Sequence, residues 1–513
     1  MTVDRRAARP ARAAGQSWAG RRAGIGDALG RVALGLAICF GFLAGGAGYW
    51  QVFRASELSR APDDAAVIAA SRTTVRGVIS DRDGTQLAAS VRDANGETYR
   101  VYASPSLSGV VGYASLQFGN AGLERAWDAQ LSGVASEDPL YDLTRKFRAD
   151  PSNPQAIQST LVLALQEAAV AALGDNRGAV VMLDPRTGEV LALASTPVYD
   201  ASAVANPATS GATFEALQND ASLPLLPRAT LGRYVPGSTF KIITSVAALG
   251  SGSIGVDTSY PEQPAAEEDG LLVTGFRVRD GHHPATGDKA LNYTEAVEVS
   301  CNIYFALTGL RTGGATLVEY ADRLGFDAAI PFDLPTAVSQ VTGGGGSLGG
   351  GFSDDVELAN AAYGQAETLV TPLQMALVAG TVANGGVLMK PHLMLSSTGL
   401  SGTRTVSPET WRQVIPASIA GDITTAMRQA VEGTLGRQFT AGAQVEGLAV
   451  AGKTGTAQLD PGLNPHSWFI GFAPADNPQI ALAIIVEEGG HGSDRAAPIG
   501  GELFRAWQAW AGG

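Results

Sequence analysis

A serine and a lysine three residues apart, Ser238 and Lys241, are the pair in this chain whose spacing most directly indicates chemistry. They follow Pro236-Gly237, a dipeptide typical of turns, and the apolar run from Phe240 to Leu249 predicts a buried helix. Positions i and i+3 share a helix face, so we expect the Lys241 amine within reach of the Ser238 oxygen. The positive end of a helix favours a serine nucleophile in its first turn, and a neutral amine beside it can accept its proton.

Ser-x-x-Lys by itself is a weak motif, because a surface helix with an N-capping serine and a solvated lysine also produces it. Two further strings strengthen the interpretation as a catalytic pair. Ser300-Cys301-Asn302 follows at a distance, and Lys453-Thr454-Gly455-Thr456 comes later. These three strings, in this order, are the set found in penicillin-binding proteins and class A β-lactamases.

The chain resembles the class B penicillin-binding proteins, the monofunctional transpeptidases of bacterial cell-wall synthesis. The resemblance covers most of the chain after residue 50 and extends beyond the three motifs. Further strings that carry it are Arg76–Gly84, Gly119–Glu124, Gly178–Ala192, Tyr363–Gln365, Thr371–Met375 and Trp468–Pro474. Ala366 departs from the family pattern, in which glycine is common after Gly-Gln, and this puts the local backbone turn in doubt.

The resemblance implies an α+β fold in which a transpeptidase domain of the serine β-lactamase-like type has a central antiparallel sheet with helices on both faces. This domain is expected over residues 156–513. A small sheet-rich pedestal without catalytic residues is expected over residues 51–155, with strands at Val75–Ile79 and Tyr99–Tyr102. A pedestal of this length is too short for the glycosyltransferase domain of a bifunctional class A enzyme.

Apolar patterning predicts the main elements of the catalytic domain. The predicted helices and strands are a helix at Leu161–Leu173, a hairpin of Ala179–Leu183 and Val190–Ser195, buried strands at Trp468–Phe472 and Ile480–Val486, and a closing helix at Pro498–Trp510.

The amino end carries a membrane signal. Residues 32–50 are apolar or small without a charge, which is about the length that spans a bilayer as a helix. Residues 1–31 contain seven arginines and predict a basic, disordered tail on the cytoplasmic side. We therefore expect a single-pass protein of the cell (plasma) membrane with its catalytic domain outside the cytoplasm. A cleaved signal peptide, with its apolar region from Val32 to Ala44, is the alternative.

Composition argues against other classes of function. The formal net charge of -13 opposes general nucleic-acid binding, which needs a basic face.

The two cysteines, Cys39 and Cys301, are expected to lie too far apart for a disulfide. No histidine stands in a metal-ligand spacing, and His282-His283 predicts a turn, so no metal is expected. Cys301 could be a second nucleophile, but a packed small residue is the favoured interpretation.

The family mechanism implies that Ser238 attacks the carbonyl of a penultimate D-alanine in a peptidoglycan stem peptide, with Lys241 as the base. Burial and the positive charge of Lys453 are expected to lower the pKa of Lys241. The resemblance further assigns the oxyanion hole to the backbone N–H groups of Ser238 and Thr456.

The same resemblance assigns roles to the remaining motif residues. Ser300 passes a proton to the departing amine, and Asn302 binds the stem-peptide amide. Thr454 and Thr456 bind the terminal carboxylate, while Gly455 leaves room for substrate backbone. The amine of a second stem peptide then completes the cross-link, and the reaction needs no cofactor.

The resemblance also implies that β-lactams acylate the serine and that a polytopic glycosyltransferase is a partner. Three alternative functions are compatible with the same sequence strings. A D,D-carboxypeptidase transfers the acyl group to water, a serine β-lactamase hydrolyses its acyl-enzyme quickly, and an inactive β-lactam sensor does not turn over. The membrane segment and pedestal argue against the β-lactamase, and the intact set of motif residues argues against the inactive sensor.

Overall fold

The computed structural model describes residues 35, 36, 39, 40 and 74–512, except 94, 95, 134–152, 281, 282, 284, 285, 288, 436, 460 and 461. The predicted tail, most of the predicted membrane segment at 32–50, and residues 51–73 of the predicted pedestal lie outside the described residues. Within the part of the chain that is described, no helix is both long enough and apolar enough to cross a membrane.

The described residues contain strands and helices in a mixed order. The strands are β1 Ile79–Ser80, β2 Gln86–Arg92, β3 Thr98–Tyr102, β4 Ala114–Ser115, β5 Gly119–Asn120, β6 Ala156–Ser159, β7 Gly178–Leu183, β8 Val190–Thr196, β9 Leu271–Val273, β10 Phe276–Val278, β11 Val387–Met389, β12 Met394–Gly399, β13 Gly402–Thr405, β14 Thr410–Gln413, β15 Ala451–Ala457, β16 His466–Ala473 and β17 Ile480–Val486. The α-helices are α1 Gly122–Ala126, α2 Asp128–Leu131, α3 Leu163–Leu173, α4 Ala201–Ala205, α5 Ser210–Asn219, α6 Arg228–Leu231, α7 Lys241–Gly250, α8 Gln263–Asp269, α9 Tyr293–Glu298, α10 Asn302–Thr312, α11 Gly314–Arg323, α12 Asp355–Ala361, α13 Pro372–Ala383, α14 Ala417–Glu432, α15 Arg437–Thr440 and α16 Ala496–Ala511.

A five-stranded antiparallel sheet, in the order β15-β16-β17-β7-β8, forms the centre of the catalytic part. Strand β7 is apolar without alternation, and all six of its residues are buried. Val180 and Met182 pack on one face, and Val181 and Leu183 pack on the other. Because successive side chains point to opposite faces, such a strand must have an apolar layer on each side.

Helices supply both layers. α13 lies against β7, β16 and β17 on one face, while α3 and α16 cover the other. The predicted α+β class and the central antiparallel sheet between helices are therefore confirmed. The predicted helix at Leu161–Leu173 begins at Leu163, and the predicted closing helix extends over Ala496–Ala511.

A second sheet has six strands in the order β13-β12-β6-β1-β2-β3. The strand predicted at Tyr99–Tyr102 is confirmed as part of β3, but the prediction of a strand over Val75–Ile79 is wrong because β1 begins only at Ile79. The Gly77 N–H donates to the Leu131 carbonyl (2.8 Å) at the end of a helix, and bonding to a strand begins with the Val78 carbonyl, which accepts from the Ile157 N–H (2.9 Å). β12 and β13 come from residues 394–405, far along the chain, and join β6.

The backbone turn at Ala366, where the sequence departs from the family pattern, is strained. Ala366 is exposed and has a φ of 61°, in the left-handed region that glycine adopts readily. A non-glycine residue there costs roughly 1–2 kcal/mol. The strain is local, because no catalytic side chain lies in this turn.

We expect Ala366→Gly to raise stability, because relief of the left-handed strain outweighs the extra chain entropy of glycine and leaves a gain of up to about 1 kcal/mol. The midpoint of thermal unfolding of the full chain measures it. Ala216→Gly, at an exposed position inside α5, is the matched control and should lower stability by about 0.5–1 kcal/mol. Equal effects of the two substitutions would contradict the argument.

Candidate active site

The turn that carries Ser238 is a short 3₁₀ helix, Gly237–Phe240, which runs directly into α7. The Lys241 N–H donates to the Ser238 carbonyl as the turn closes. Phe240 is fully buried and packs edge-on against Phe326, with ring centroids 6.2 Å apart. Apolar anchoring directly after Ser238 fixes the turn, while Ser238 itself stays partly exposed.

Glycines allow this turn to press against β15. Gly237 has a φ of 54°, and a Cβ there would lie 2.7 Å from the Thr456 carbonyl oxygen. On the strand, a Cβ at Gly455 would lie 2.7 Å from the Pro236 carbonyl oxygen. The side-chain position of Gly455 thus faces the protein's own turn, and its predicted role towards substrate backbone stays a prediction. The two glycines bring the serine turn and the Lys453–Thr456 string into contact.

Ser300-Cys301-Asn302 forms the junction between α9 and α10. α9 begins with a capping box in which Asn292 and Glu295 cap each other's backbone. Ser300 then has a φ of 61°, a left-handed conformation that reverses the chain, and Cys301 is the N-cap of α10. Strain of this kind in a serine persists only where the surrounding packing holds it.

The predicted lysines meet at this junction. Lys241 Nζ donates to the Ser300 carbonyl, to Ser300 Oγ (3.2 Å) and to Asn302 Oδ1 (2.7 Å). Lys453 Nζ, from β15, donates to the same Ser300 Oγ (2.8 Å) and to the Thr454 carbonyl (3.2 Å). Both lysines are almost fully buried. The Ser300 hydroxyl therefore bridges two buried amines that come from different segments.

Among the described residues Lys241 makes no hydrogen bond to Ser238, and the three donors of its ammonium are used on Ser300 and Asn302. A neutral amine has only two N–H groups and one lone pair. Loss of a proton from Lys241 therefore frees one of these contacts and leaves a lone pair. Ser238 lies in the turn just before Lys241, and proton transfer from its hydroxyl to this lone pair stays the predicted role of the pair.

Burial lowers the pKa of Lys241 to about 8, against the negative charges of Asp280 and Cys301, which act to raise it. Burial also holds the pKa of Lys453 well below its usual range, and the charge of Lys241 adds to this effect. The expected lowering of the Lys241 pKa is confirmed. The repulsion between the two lysines, however, lowers the pKa of Lys453 instead of that of Lys241. A substrate carboxylate next to Lys453 would favour its charged form.

The predicted substrate-binding residues lie on β15. Thr454 is buried, while Thr456 is partly exposed and its Oγ1 accepts from the Gly492 N–H (3.2 Å). β15 is the edge strand of the central sheet, which is where an extended peptide can add by backbone hydrogen bonds. The structure thus brings the eight predicted site residues to one edge of the sheet, and their individual roles stay predictions.

Some side chains at the site gave no signal in the sequence. Asp280 Oδ2 accepts from the backbone N–H groups of Asn302 and Ile303, which caps α10. The Phe305 ring lies 5.7 Å from Lys241 Nζ and adds a cation–π contact. Burial, together with the charge of Asp280, raises the pKa of the Cys301 thiol well above its usual range, which argues against a second nucleophile.

Comparisons with known proteins agree with this geometry. Residues 178–505 match the penicillin binding protein transpeptidase domain, and residues 76–153 match the penicillin binding protein A dimerisation domain. The peptidoglycan D,D-transpeptidase PbpA of Mycolicibacterium smegmatis is 35% identical over 497 residues, which cover 93% of this chain and 96% of that protein.

Solved structures give the same result. The ceftriaxone acyl-enzyme complex of penicillin-binding protein A from M. tuberculosis has a TM-score of 0.76 at 31% identity and covers 85% of this chain and 99% of that one. The penicillin G acyl-enzyme complex of the same protein has a TM-score of 0.74 at 32% identity, with the same coverage. The chain belongs to the penicillin-binding protein transpeptidase family, and the resemblance to its class B members is confirmed.

We expect acylation of Ser238 by penicillin to depend on pH through Lys241. Only the neutral amine can accept the serine proton, so the acylation rate constant should rise about tenfold per pH unit below about 8 and level off above it. Stopped-flow measurement of acylation across this range gives the profile, and circular dichroism at each pH controls for unfolding. A rate constant independent of pH would contradict Lys241 as the base.

Proposed function

We propose that this protein is a peptidoglycan D,D-transpeptidase that cross-links stem peptides through an acyl-enzyme on Ser238 and is covalently inhibited by β-lactams. The observation that carries the proposal is the convergence of Lys241 and Lys453 on the Ser300 hydroxyl, beside the turn that presents Ser238. Three remote segments supply a nucleophile, a buried base and a proton bridge. This is the arrangement that a serine acyl transfer requires.

The chemistry follows from these contacts. Neutral Lys241 takes the Ser238 proton as the serine oxygen bonds to the D-alanine carbonyl carbon. The Ser300 hydroxyl, which contacts both amines, can then pass a proton from Lys453 to the departing D-alanine amine. The amine of a second stem peptide then attacks the ester carbonyl, and its proton returns to Lys453 through the Ser300 hydroxyl. As the new peptide bond forms and the ester C–O bond breaks, Lys241 gives its proton back to the Ser238 oxygen. Stabilisation of the oxyanion by the N–H groups of Ser238 and Thr456 would contribute on the order of 10²–10³ in rate.

The environment of the site disfavours one route to hydrolysis. Asp280 is the carboxylate whose charge acts on both lysines, and its Oδ2 accepts the backbone N–H groups of Asn302 and Ile303. A carboxylate held in this way is not oriented to activate a hydrolytic water. This argues against hydrolysis of the acyl-enzyme assisted by that carboxylate, as in a β-lactamase.

Anchoring in the cell membrane belongs to the proposal. Its basis is the uncharged apolar stretch at residues 32–50 after an arginine-rich amino end. The catalytic part would then lie outside the cytoplasm, where stem peptides are. A polytopic glycosyltransferase partner would supply new glycan strands, and the family resemblance alone supports it.

Ser238→Ala should abolish covalent labelling by fluorescent penicillin, because it removes the hydroxyl that the β-lactam acylates. Ser251→Ala, at the exposed far end of α7, is the matched control and should label normally. Gel fluorescence of purified protein measures both. Persistent labelling of folded Ser238→Ala would refute the assignment of the nucleophile.

Product analysis tests the acceptor. With a pentapeptide donor and a second stem peptide, we expect D-alanine release to yield mainly cross-linked dimer, detected by mass spectrometry. Omission of the acceptor should slow D-alanine release. A tetrapeptide formed at the same rate with or without the acceptor would instead establish carboxypeptidase activity.

The anchor is tested in cells. The full chain should sediment with membranes and resist extraction by alkaline carbonate, while a variant lacking residues 32–50 should not be retained in the membrane. External protease should digest the catalytic part of the full chain in spheroplasts. Protection of that part, or release of the full chain by carbonate, would overturn the proposed location.

A further inference from the structure

A buried cluster of polar side chains lies behind the Ser300–Asn302 motif and takes no part in the chemistry above. Glu267 of α8, His283 and the N-cap residue Cys301 converge there, with their ligand atoms within 4.8 Å of one another. The side chains of Glu267 and His283 are each 5% exposed, and Cys301 is fully buried. A thiol, an imidazole and a carboxylate at such distances are the donor types of a zinc site.

Hydrogen bonding accounts for only part of the cluster, because Cys301 Sγ donates to Glu267 Oε1 (3.5 Å) but no such bond reaches the Nε2 atom of His283 within the described residues. This nitrogen is buried. Two carboxylate oxygens lie near it, Glu267 Oε1 at 3.7 Å and Asp280 Oδ2 at 3.5 Å. These distances exceed the 2.7–3.2 Å that is usual for a hydrogen bond to nitrogen. An unpaired buried imidazole nitrogen that faces two carboxylates is costly unless a further group lies between them.

The spacing of the atoms fits a tetrahedral metal ion. Zinc bonds of about 2.0–2.3 Å at tetrahedral angles place neighbouring ligand atoms about 3.3–3.6 Å apart. The separation of Cys301 Sγ and Glu267 Oε1 is 3.5 Å, and the two distances at His283 Nε2 are close to the same range. These three separations are therefore those expected between neighbouring ligand atoms around one tetrahedral ion.

We propose that Glu267, His283 and Cys301 bind a zinc ion, with the Asp280 carboxylate closing the fourth position. The donor set selects the metal. A thiolate and an imidazole disfavour magnesium and calcium, which prefer oxygen ligands, and four tetrahedral donors suit zinc. With four protein ligands the ion has no open position for a substrate, so the site is structural.

Contacts around the cluster orient the ligands as in known metal sites. The Gln263 side-chain amide donates to Glu267 Oε1, and the Tyr304 N–H donates to Cys301 Sγ (3.3 Å). The Asn302 N–H donates to Asp280 Oδ2. Such outer partners hold metal ligands in position, and zinc would itself displace the thiol proton when it binds the Cys301 sulfur.

The proposed ion would fix the catalytic motif without touching the substrate. Cys301 lies between Ser300 and Asn302, the two residues that hold the Lys241 amine, and Asp280 caps the same helix end. Zinc would tie α8, the side chains of Asp280 and His283, and the start of α10 together. It would also balance the charge of two carboxylates whose side chains are 5% and 7% exposed, a burial that is expensive without a cation.

Metal analysis tests the site independently of any activity. The full chain, purified with a tag free of histidine from zinc-supplemented medium, should contain about one zinc per chain by plasma mass spectrometry. Cys301→Ser and His283→Gln should bind zinc at least about 100-fold more weakly in competition with a chelator, because each loses a direct ligand. Substoichiometric zinc in the parent chain, or unchanged affinity in both variants, would overturn the proposal.

Two matched variants control for unspecific loss. His392 is another buried histidine whose Nε2 makes no hydrogen bond within the described residues, so His392→Gln perturbs a comparable imidazole away from the cluster. Cys39→Ser removes the other cysteine. Both should keep full zinc content, and a loss as large as that of Cys301→Ser would count against the site.

Spectroscopy on the parent chain avoids dependence on how variants fold. Replacement of zinc by cobalt should give the intense visible bands of a tetrahedral ion and a thiolate-to-cobalt charge-transfer band in the near ultraviolet. The charge-transfer band should vanish in Cys301→Ser and persist in Cys39→Ser. Spectra of an octahedral cobalt ion, or no thiolate band in the parent chain, would refute the assignment.

The proposed role of zinc in positioning the catalytic motif can be measured separately from zinc binding. Removal of zinc from the parent chain should lower both the thermal unfolding midpoint and the penicillin acylation rate constant, and added zinc should restore both. In Cys301→Ser, added zinc should change neither value at the concentration that saturates the parent chain. An acylation rate equal in the zinc-bound and zinc-free parent would exclude the positioning role.

Discussion

The site depends on two amines that the fold removes from water. Lys241 and Lys453 are buried next to each other, and the Ser300 hydroxyl is the group that both contact. Desolvation of an ammonium costs several kcal/mol unless polar partners compensate. The Ser300 carbonyl and the Asn302 side chain supply part of that compensation for Lys241. The remaining cost appears as a lowered pKa, which is what makes a lysine usable as a base near neutral pH.

Backbone conformations that most residues avoid hold these groups in place. Ser300 and Gly237 both have left-handed φ values. Ser300 lies directly before the N-cap of α10, and Gly237 begins the 3₁₀ turn that leads into α7. The fully buried helix α7 and the junction of α9 with α10 stabilise them. Strain at the site is therefore maintained by burial elsewhere, as is usual for functional residues. Behind the junction, the Glu267, His283 and Cys301 cluster would add a further restraint on the same helix end.

Much of the fold follows from local patterns. The unbroken apolar runs of β7, β8, β16 and β17 indicate strands buried on both faces, and their sheet forms as predicted. The strand predicted over Val75–Ile79 was wrong because its β-favouring residues precede a pairing that begins only at Ile79. The contribution of β12 and β13 to the second sheet was not predictable, since it depends on residues distant in sequence.

The sequence by itself determined the nucleophile and base candidates, because Ser-x-x-Lys, Ser-x-Asn and Lys-Thr-Gly are strings whose residue types carry the chemistry. Only the tertiary structure decided which amine contacts which oxygen, that Gly455 admits the protein's own turn, and that His283 meets Cys301. The physical reason is that hydrogen bonds and metal geometry depend on distances of a few ångströms between remote segments. Such distances are set by packing, which the order of residues along the chain does not reveal.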